Sequence, residues 1–112
     1  MTSSGAATRP FAGFLTYSCS KSFASFLAVG LSYELRGKVD CLAWEAGETK
    51  TKMLGDRKGW STIDTDVAVK SSLRDLGSAN LTNGNWRHEV DLAMFSLVSL
   101  NYINPFLIPL ME

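Results

Sequence analysis

Phe23–Trp44 reads "FASFLAVGLSYELRGKVDCLAW", and the order of signals within it decides the fold. Apolar residues stand at Phe23, Phe26, Leu27, Leu31 and Leu35, the i, i+3, i+4 spacing of a helix face. The spacing predicts a helix from about Tyr17 to Arg36, stopped by Gly37 just past a basic last turn. Val39–Trp44, "VDCLAW", is short, mostly apolar and β-leaning, and predicts a buried strand. Helix, glycine and buried strand make half of a βαβ unit. The expected fold class is therefore α/β with a parallel sheet.

Downstream, Glu45 to Ser61 is polar, holds three glycines and has no clear period, which predicts a loop. Asp64 is placed to cap a helix running to about Leu76, with Val69, Leu73 and Leu76 on one face and Gly77 ending it. Asn83-Gly84 predicts a turn, with a short strand around it over Leu81–Trp86. Val90 to Leu100 is apolar and predicts a further helix, and Pro105 and Pro109 break any helix beyond it. That gives two strands and a sliver of a third at the N-terminus. The Tyr17–Arg36 helix is apolar almost all round, with Ala24, Ala28 and Val29 filling its other faces, so it is expected to be buried on several sides. Two or three strands supply too few neighbours for that, so the isolated chain is expected to expose much of this helix and to be aggregation-prone or partly molten.

The chain has 112 residues, 46% of them hydrophobic and 20% charged, an ordinary composition for one small domain. Eleven basic residues balance eleven acidic ones, so a basic surface for nucleic acid is not expected. The two cysteines, Cys19 and Cys41, and the single histidine, His88, form no metal-binding spacing. The cysteines are expected as buried reduced thiols, His88 as a surface or turn residue with no role, and Trp44, Trp60 and Trp86 as packing residues. Charge is uneven. No acid precedes Glu34, and no charge lies between Asp91 and Glu112. The first gap has the composition of a transit or signal segment. The second, residues 92–111, is long enough to cross a bilayer at about 20 residues. Asn101, Asn104, Pro105 and Pro109 within it argue instead for an apolar tail that contacts a membrane or covers substrate.

Upstream of the deciding stretch, Thr16–Lys21 reads "TYSCSK". Residues four apart on a helix share a face, so Tyr17 and Lys21 lie within side-chain reach. A neighbouring ammonium favours the charged form of a phenol, and a tyrosine so placed is a plausible general acid. Ser4 stands thirteen residues before Tyr17. Beyond the predicted strand comes "CLAWEAGETKTKML". A serine, a Y-x-x-x-K pair thirteen residues on, a long helix, a strand and then a P-G-x-V-x-T segment are the marks that the chain resembles: those of the short-chain dehydrogenases/reductases. Ser4, Tyr17 and Lys21 match without a gap, and Gly47 and Thr51 match the later segment. Ala46 stands where the family usually has proline, and Thr49 where it usually has valine. "TKTKML" and "TNGNW" look like the branch of very-long-chain 3-oxoacyl-CoA reductases and related hydroxysteroid dehydrogenases, which often carries tyrosine where this chain has Asn85.

The resemblance implies a Rossmann-like doubly wound parallel sheet, of which residues 1–112 would be the catalytic C-terminal portion, a single partial domain. The family binds its dinucleotide through an N-terminal βαβ half with a glycine-rich turn. No such turn lies ahead of Ser4, so the expectation is of a fragment that is inactive alone. The implied catalytic residues are Ser4, Tyr17 and Lys21. The implied cofactor contacts are Tyr17, Lys21, Ala46, Gly47, Thr49 and Thr51, with NADP preferred over NAD and no metal. The implied substrate is a small hydrophobic ketone, either a 3-oxoacyl-CoA ester, which Arg57 and Lys58 would suit, or a steroid-like ketone. Association with a second copy or with the missing half is expected through the 17–36 helix, with Ala24, Ala28 and Gly30 allowing close approach. The endoplasmic reticulum membrane and the cytoplasm are the locations this implies. The alternatives are a non-catalytic structural or partner subunit derived from such a reductase, and a small membrane-associated protein.

Overall fold

The computed structural model describes residues 1–111. A first strand, β1 (Thr2–Ser4), runs into a 3₁₀ turn (Gly5–Thr8) and then helix α1 (Leu15–Glu34). Strand β2 (Ala43–Ala46), the short pair β3 (Thr49–Lys50) and β4 (Ile63–Asp64), helix α2 (Thr65–Arg74) and strand β5 (Leu81–Thr82) follow. Two helices close the chain, α3 (Trp86–Leu97) and α4 (Leu100–Leu107), before a last 3₁₀ turn at Pro109–Met111. β1, β2 and β5 form a three-stranded parallel sheet in that order, with Ser3 opposite Glu45 and Trp44 opposite Thr82. β3 and β4 form a separate parallel pair. The α/β class and the parallel sheet stand as expected. Glu45–Ser61 is not wholly a loop, because Thr49–Lys50 pairs with Ile63–Asp64.

Helix α1 forms near its expected span, but its orientation is the reverse of the one its apolar spacing suggests. Its buried residues are Ser18, Ser25 and Ala28. Phe23 and Phe26 stand 68% and 80% exposed. The small residues let the helix backbone lie close against β1 and β2. Ser25 also supplies a hydroxyl to the sheet, donating from Oγ either to Glu45 Oε1 or to Ser3 Oγ, each 2.8 Å away. Ser3 passes its own hydroxyl proton to the Lys21 carbonyl at 2.7 Å. This polar clamp explains how Glu45 can sit buried, since a buried carboxyl needs a donor.

The same inversion recurs at α2. Ala68 and Ser72 face inward, while Val69, Leu73 and Leu76 are exposed. β2 begins four residues later than expected, and Val39 is an exposed loop residue. α3 begins at Trp86 rather than Val90, capped by Asn85, whose side chain accepts the Arg87 N–H. Pro105 lies inside α4 rather than ending it. Cys19 is exposed and Cys41 half-buried, so the cysteines are not the buried pair expected. Trp60 and Trp86 are also not packing residues. Both are more than half exposed, with Arg87 over each ring.

The apolar core is thin: Ala28, Leu42, Ala43, Ile63 and Ala68, three of them alanine. Polar ties carry much of the remaining order. Arg9 donates to the Phe95 and Val98 carbonyls and so caps the C-terminal end of α3, where a cation meets the negative pole of the helix. The Ala12 N–H donates to Asn104 on α4 at 3.1 Å. Asp75, just past α2, accepts from Thr82 on β5 and from Arg74. No single helix among the described residues is long and apolar enough to cross a membrane. α3 and α4 pass that test only together, bent by 100°.

Candidate functional site

A cleft of about 810 Å³ opens at the carboxyl ends of β1 and β2. In open parallel sheets this is where ligands bind, because the loops leaving neighbouring strands diverge there. The geometry draws together every catalytic and cofactor candidate read from the sequence, while Arg57 and Lys58 do not line the cleft. Ser4, Tyr17, Lys21, Ala46, Gly47, Thr49 and Thr51 all line it.

Each is placed by a local cause. Ser4 ends β1 and caps the 3₁₀ turn, with its Oγ accepting the Ala6 N–H at 3.2 Å. That bond uses an acceptor lone pair. The Ser4 O–H has no protein acceptor among the described residues and remains available to the cleft. Tyr17 and Lys21 lie one turn apart near the start of α1, and the Lys21 ammonium sits 5.5 Å from the Tyr17 ring centroid. Lys21 has no carboxylate partner, since the ion pairs among the described residues join Lys50 to Asp64 and Arg74 to Asp75. The Ser3 bond to the Lys21 carbonyl and the Ser22 bond to the Ala7 carbonyl fix this part of α1 against the segment that follows Ser4.

The far wall comes from α3. His88, Asp91, Leu92 and Phe95 recur at i, i+3, i+4 and i+7 and all line the cleft. Leu92 packs on Gly5 so closely that a Cβ there would fall 2.8 Å from its Cδ2. Met53, Leu54, Val69 and Phe11 add apolar surface, so most of the lining suits a hydrophobic ligand.

His88 departs from expectation most. It is 2% exposed and faces inward, not outward. Its Nδ1 accepts the Gly47 N–H at 3.2 Å, and its Nε2 lies 3.1 Å from both the Glu48 and Ser61 carbonyls. The i, i+3, i+4, i+7 recurrence through Phe95 was the signal that could have placed it on the cleft face.

The expected close-approach surface of α1 also changes. Ala28 is buried under the sheet at 1% exposure, so it is not open to a partner. The exposed side of the helix is formed by Phe23, Phe26, Leu27 and Tyr33. Comparison with known proteins finds no matching family model, no matching curated protein and no matching solved structure.

Proposed function

We propose that this chain carries the substrate and nicotinamide side of a short-chain, NAD(P)H-dependent carbonyl reductase. One observation carries the reading. Ser4 at the end of β1 and Tyr17 and Lys21 on α1 line one cleft at the carboxyl ends of parallel strands. The residues fit a nicotinamide cofactor. Lys21 is an uncommitted cation, Ser4 holds an unused hydroxyl proton, and the Ala46–Thr51 loop offers backbone and hydroxyl groups along the same cleft. A bound cofactor would supply the hydride.

The chain's own groups do the rest. Ser4 donates its O–H to the substrate carbonyl oxygen and orients it. Tyr17 gives the phenolic proton to that oxygen as the carbonyl carbon is reduced, so an alcohol leaves. Lys21 steadies the phenol oxygen as the proton departs and would hold the ribose hydroxyls of a bound cofactor. Gly47, Thr49 and Thr51, which line the same cleft, would border the nicotinamide. The apolar wall suits a long-chain 3-oxoacyl thioester or a steroid ketone.

On this reading a dinucleotide-binding βαβ half of a Rossmann-like sheet, in cis or in trans, would hold the pyrophosphate. The exposed apolar residues Tyr102, Phe106 and Leu110 fit a tail that rests on a membrane, such as that of the endoplasmic reticulum. The test is NADH and NADPH oxidation with a panel of ketones. It is run on the 112-residue chain and on the chain joined to a dinucleotide-binding half. Activity in the joined form alone is expected. Silence of the joined form with every ketone and both cofactors would overturn the reading.

A further inference from the structure

We propose that His88 is a positioning residue for the cleft, fixing the Ala46–Thr51 loop in the conformation that borders a ligand; as a statement about the nicotinamide it rests on the reductase reading. His88 is the one large side chain fully buried among the described residues, and the proton transfer proposed above does not use it.

Its two ring nitrogens serve three backbone groups on two separate segments. Gly47 N–H donates to Nδ1 at 3.2 Å. Nε2–H is shared between the Glu48 and Ser61 carbonyls, each at 3.1 Å. A single form of the ring satisfies all three, the neutral tautomer with the proton on Nε2. The other tautomer sets a donor against the Gly47 N–H and leaves two carbonyls facing a lone pair.

The fit extends beyond hydrogen bonds. The imidazole lies flush on Gly47, where a Cβ would fall 2.6 Å from both Cγ and Cδ2. This gives Gly47 a reason that owes nothing to turn geometry: a side chain there would displace the ring. The anchored loop carries its neighbours with it. Thr49 Oγ1 donates to the Gly47 carbonyl at 3.3 Å, and the Glu48 carbonyl also accepts the Ile63 N–H at 3.2 Å. His88 thus sets the loop, the head of the β3–β4 pair and the α3 wall of the cleft in one relation. Backbone groups pinned in this way present a fixed edge to a ligand, which is how a supporting residue governs affinity from outside the reacting atoms.

His88 is the chain's single histidine, so its ring signals need no assignment. Long-range ¹H–¹⁵N spectra of the 112-residue chain are expected to show the neutral Nε2–H tautomer. A ring protonated on Nδ1 would overturn the proposal with no variant needed. Two variants extend the test, read by hydrogen exchange and by titration with reduced nicotinamide mononucleotide, the cofactor's nicotinamide end. His88→Phe removes both nitrogens at similar size. It is expected to speed exchange at Gly47 about tenfold and to raise the Kd about tenfold. His88→Asn keeps an acceptor for the Gly47 N–H and is expected to recover part of both. Unchanged Gly47 exchange in His88→Phe, or exchange raised equally along the whole chain with no rescue by asparagine, would overturn the proposal. If wild type does not bind the mononucleotide while the tautomer and Gly47 exchange follow expectation, the reductase reading falls and the loop-fixing role of His88 stands.

Discussion

Removing the Ser25 hydroxyl tests the clamp that holds α1 on the sheet. Glu45 is 5% exposed, and Ser25 Oγ at 2.8 Å is its side-chain hydrogen-bond partner among the described residues. Ser25→Ala removes one hydrogen bond, about 1 kcal/mol, and strands a buried carboxyl without a donor, about 1–3 kcal/mol more. The expected loss is about 2–4 kcal/mol, a large share of the stability of a small domain. For a small chain the urea slope is about 1–2 kcal/mol/M, so a loss of 2 kcal/mol moves the unfolding midpoint down by about 1–2 M. Replacing the carboxyl as well, in Ser25→Ala/Glu45→Met, removes both partners together. The double variant is expected to recover most of the loss, because two apolar groups in place of a buried polar pair can be nearly neutral. The assay is urea unfolding of wild type, both single variants and the double variant, read as a double-mutant cycle. A Ser25→Ala cost below about 0.5 kcal/mol, or additive single losses, would refute the clamp.

Gly47→Ala is expected to cost about 1–3 kcal/mol through the forced shift of the His88 ring, and the thermal midpoint should fall accordingly. Unchanged melting would show that the ring yields freely. Arg74 hydrogen-bonds Asp75 and, with the Thr82 hydroxyl, holds its carboxyl below the usual carboxylate range. A lowered folded value adds stability above the unfolded value, near pH 4, that is lost as pH falls through the folded value. Asp75→Asn should flatten this acid limb of stability against pH, and an unchanged limb would count against the contact. Phe23 and Phe26 leave an apolar stripe open on α1. Phe26→Glu should shift the chain toward monomer in analytical ultracentrifugation, and an unaltered association state would exclude this face as the interface.

Helix α1 and its glycine stop were legible because a helical period and a C-terminal Gly37 are local signals that tertiary context did not override. Gly37 indeed takes φ +82. Which way α1 faces was not legible. A helix apolar almost all round marks no single inward face, and it is Ser18, Ser25 and Ala28 that meet the sheet. Close helix–sheet approach favours small residues, and Ser25 is needed for a buried glutamate whose partner lies 20 residues away. No periodicity argument carries that pairing. The strand shift has a related cause. Val39 and Cys41 look like strand residues by type, while the pairing with β1 falls on Trp44, Glu45 and Ala46. The cleft residues were found by motif spacing, and the parallel strands bring them together. His88 escaped notice because a lone histidine beside exposed Trp86 and half-buried Arg87 carries no local mark of burial. Its partners are backbone groups about 27 to 41 positions away in the chain.

The central claim is that Tyr17 is the proton donor of a carbonyl-reducing cleft, and one measurement reaches it most directly. NADPH oxidation is followed with a 3-oxoacyl thioester or a steroid ketone, in the chain joined to a dinucleotide-binding half, for wild type and Tyr17→Phe. Tyr17→Phe removes one hydroxyl and leaves the ring. General-acid catalysis of this kind supplies about 10²–10⁴-fold, so kcat should fall by at least about 100-fold. The KM for NADPH should change little, while Lys21→Met should weaken both cofactor binding and rate. A Tyr17→Phe enzyme that turns over at the wild-type rate would contradict the account.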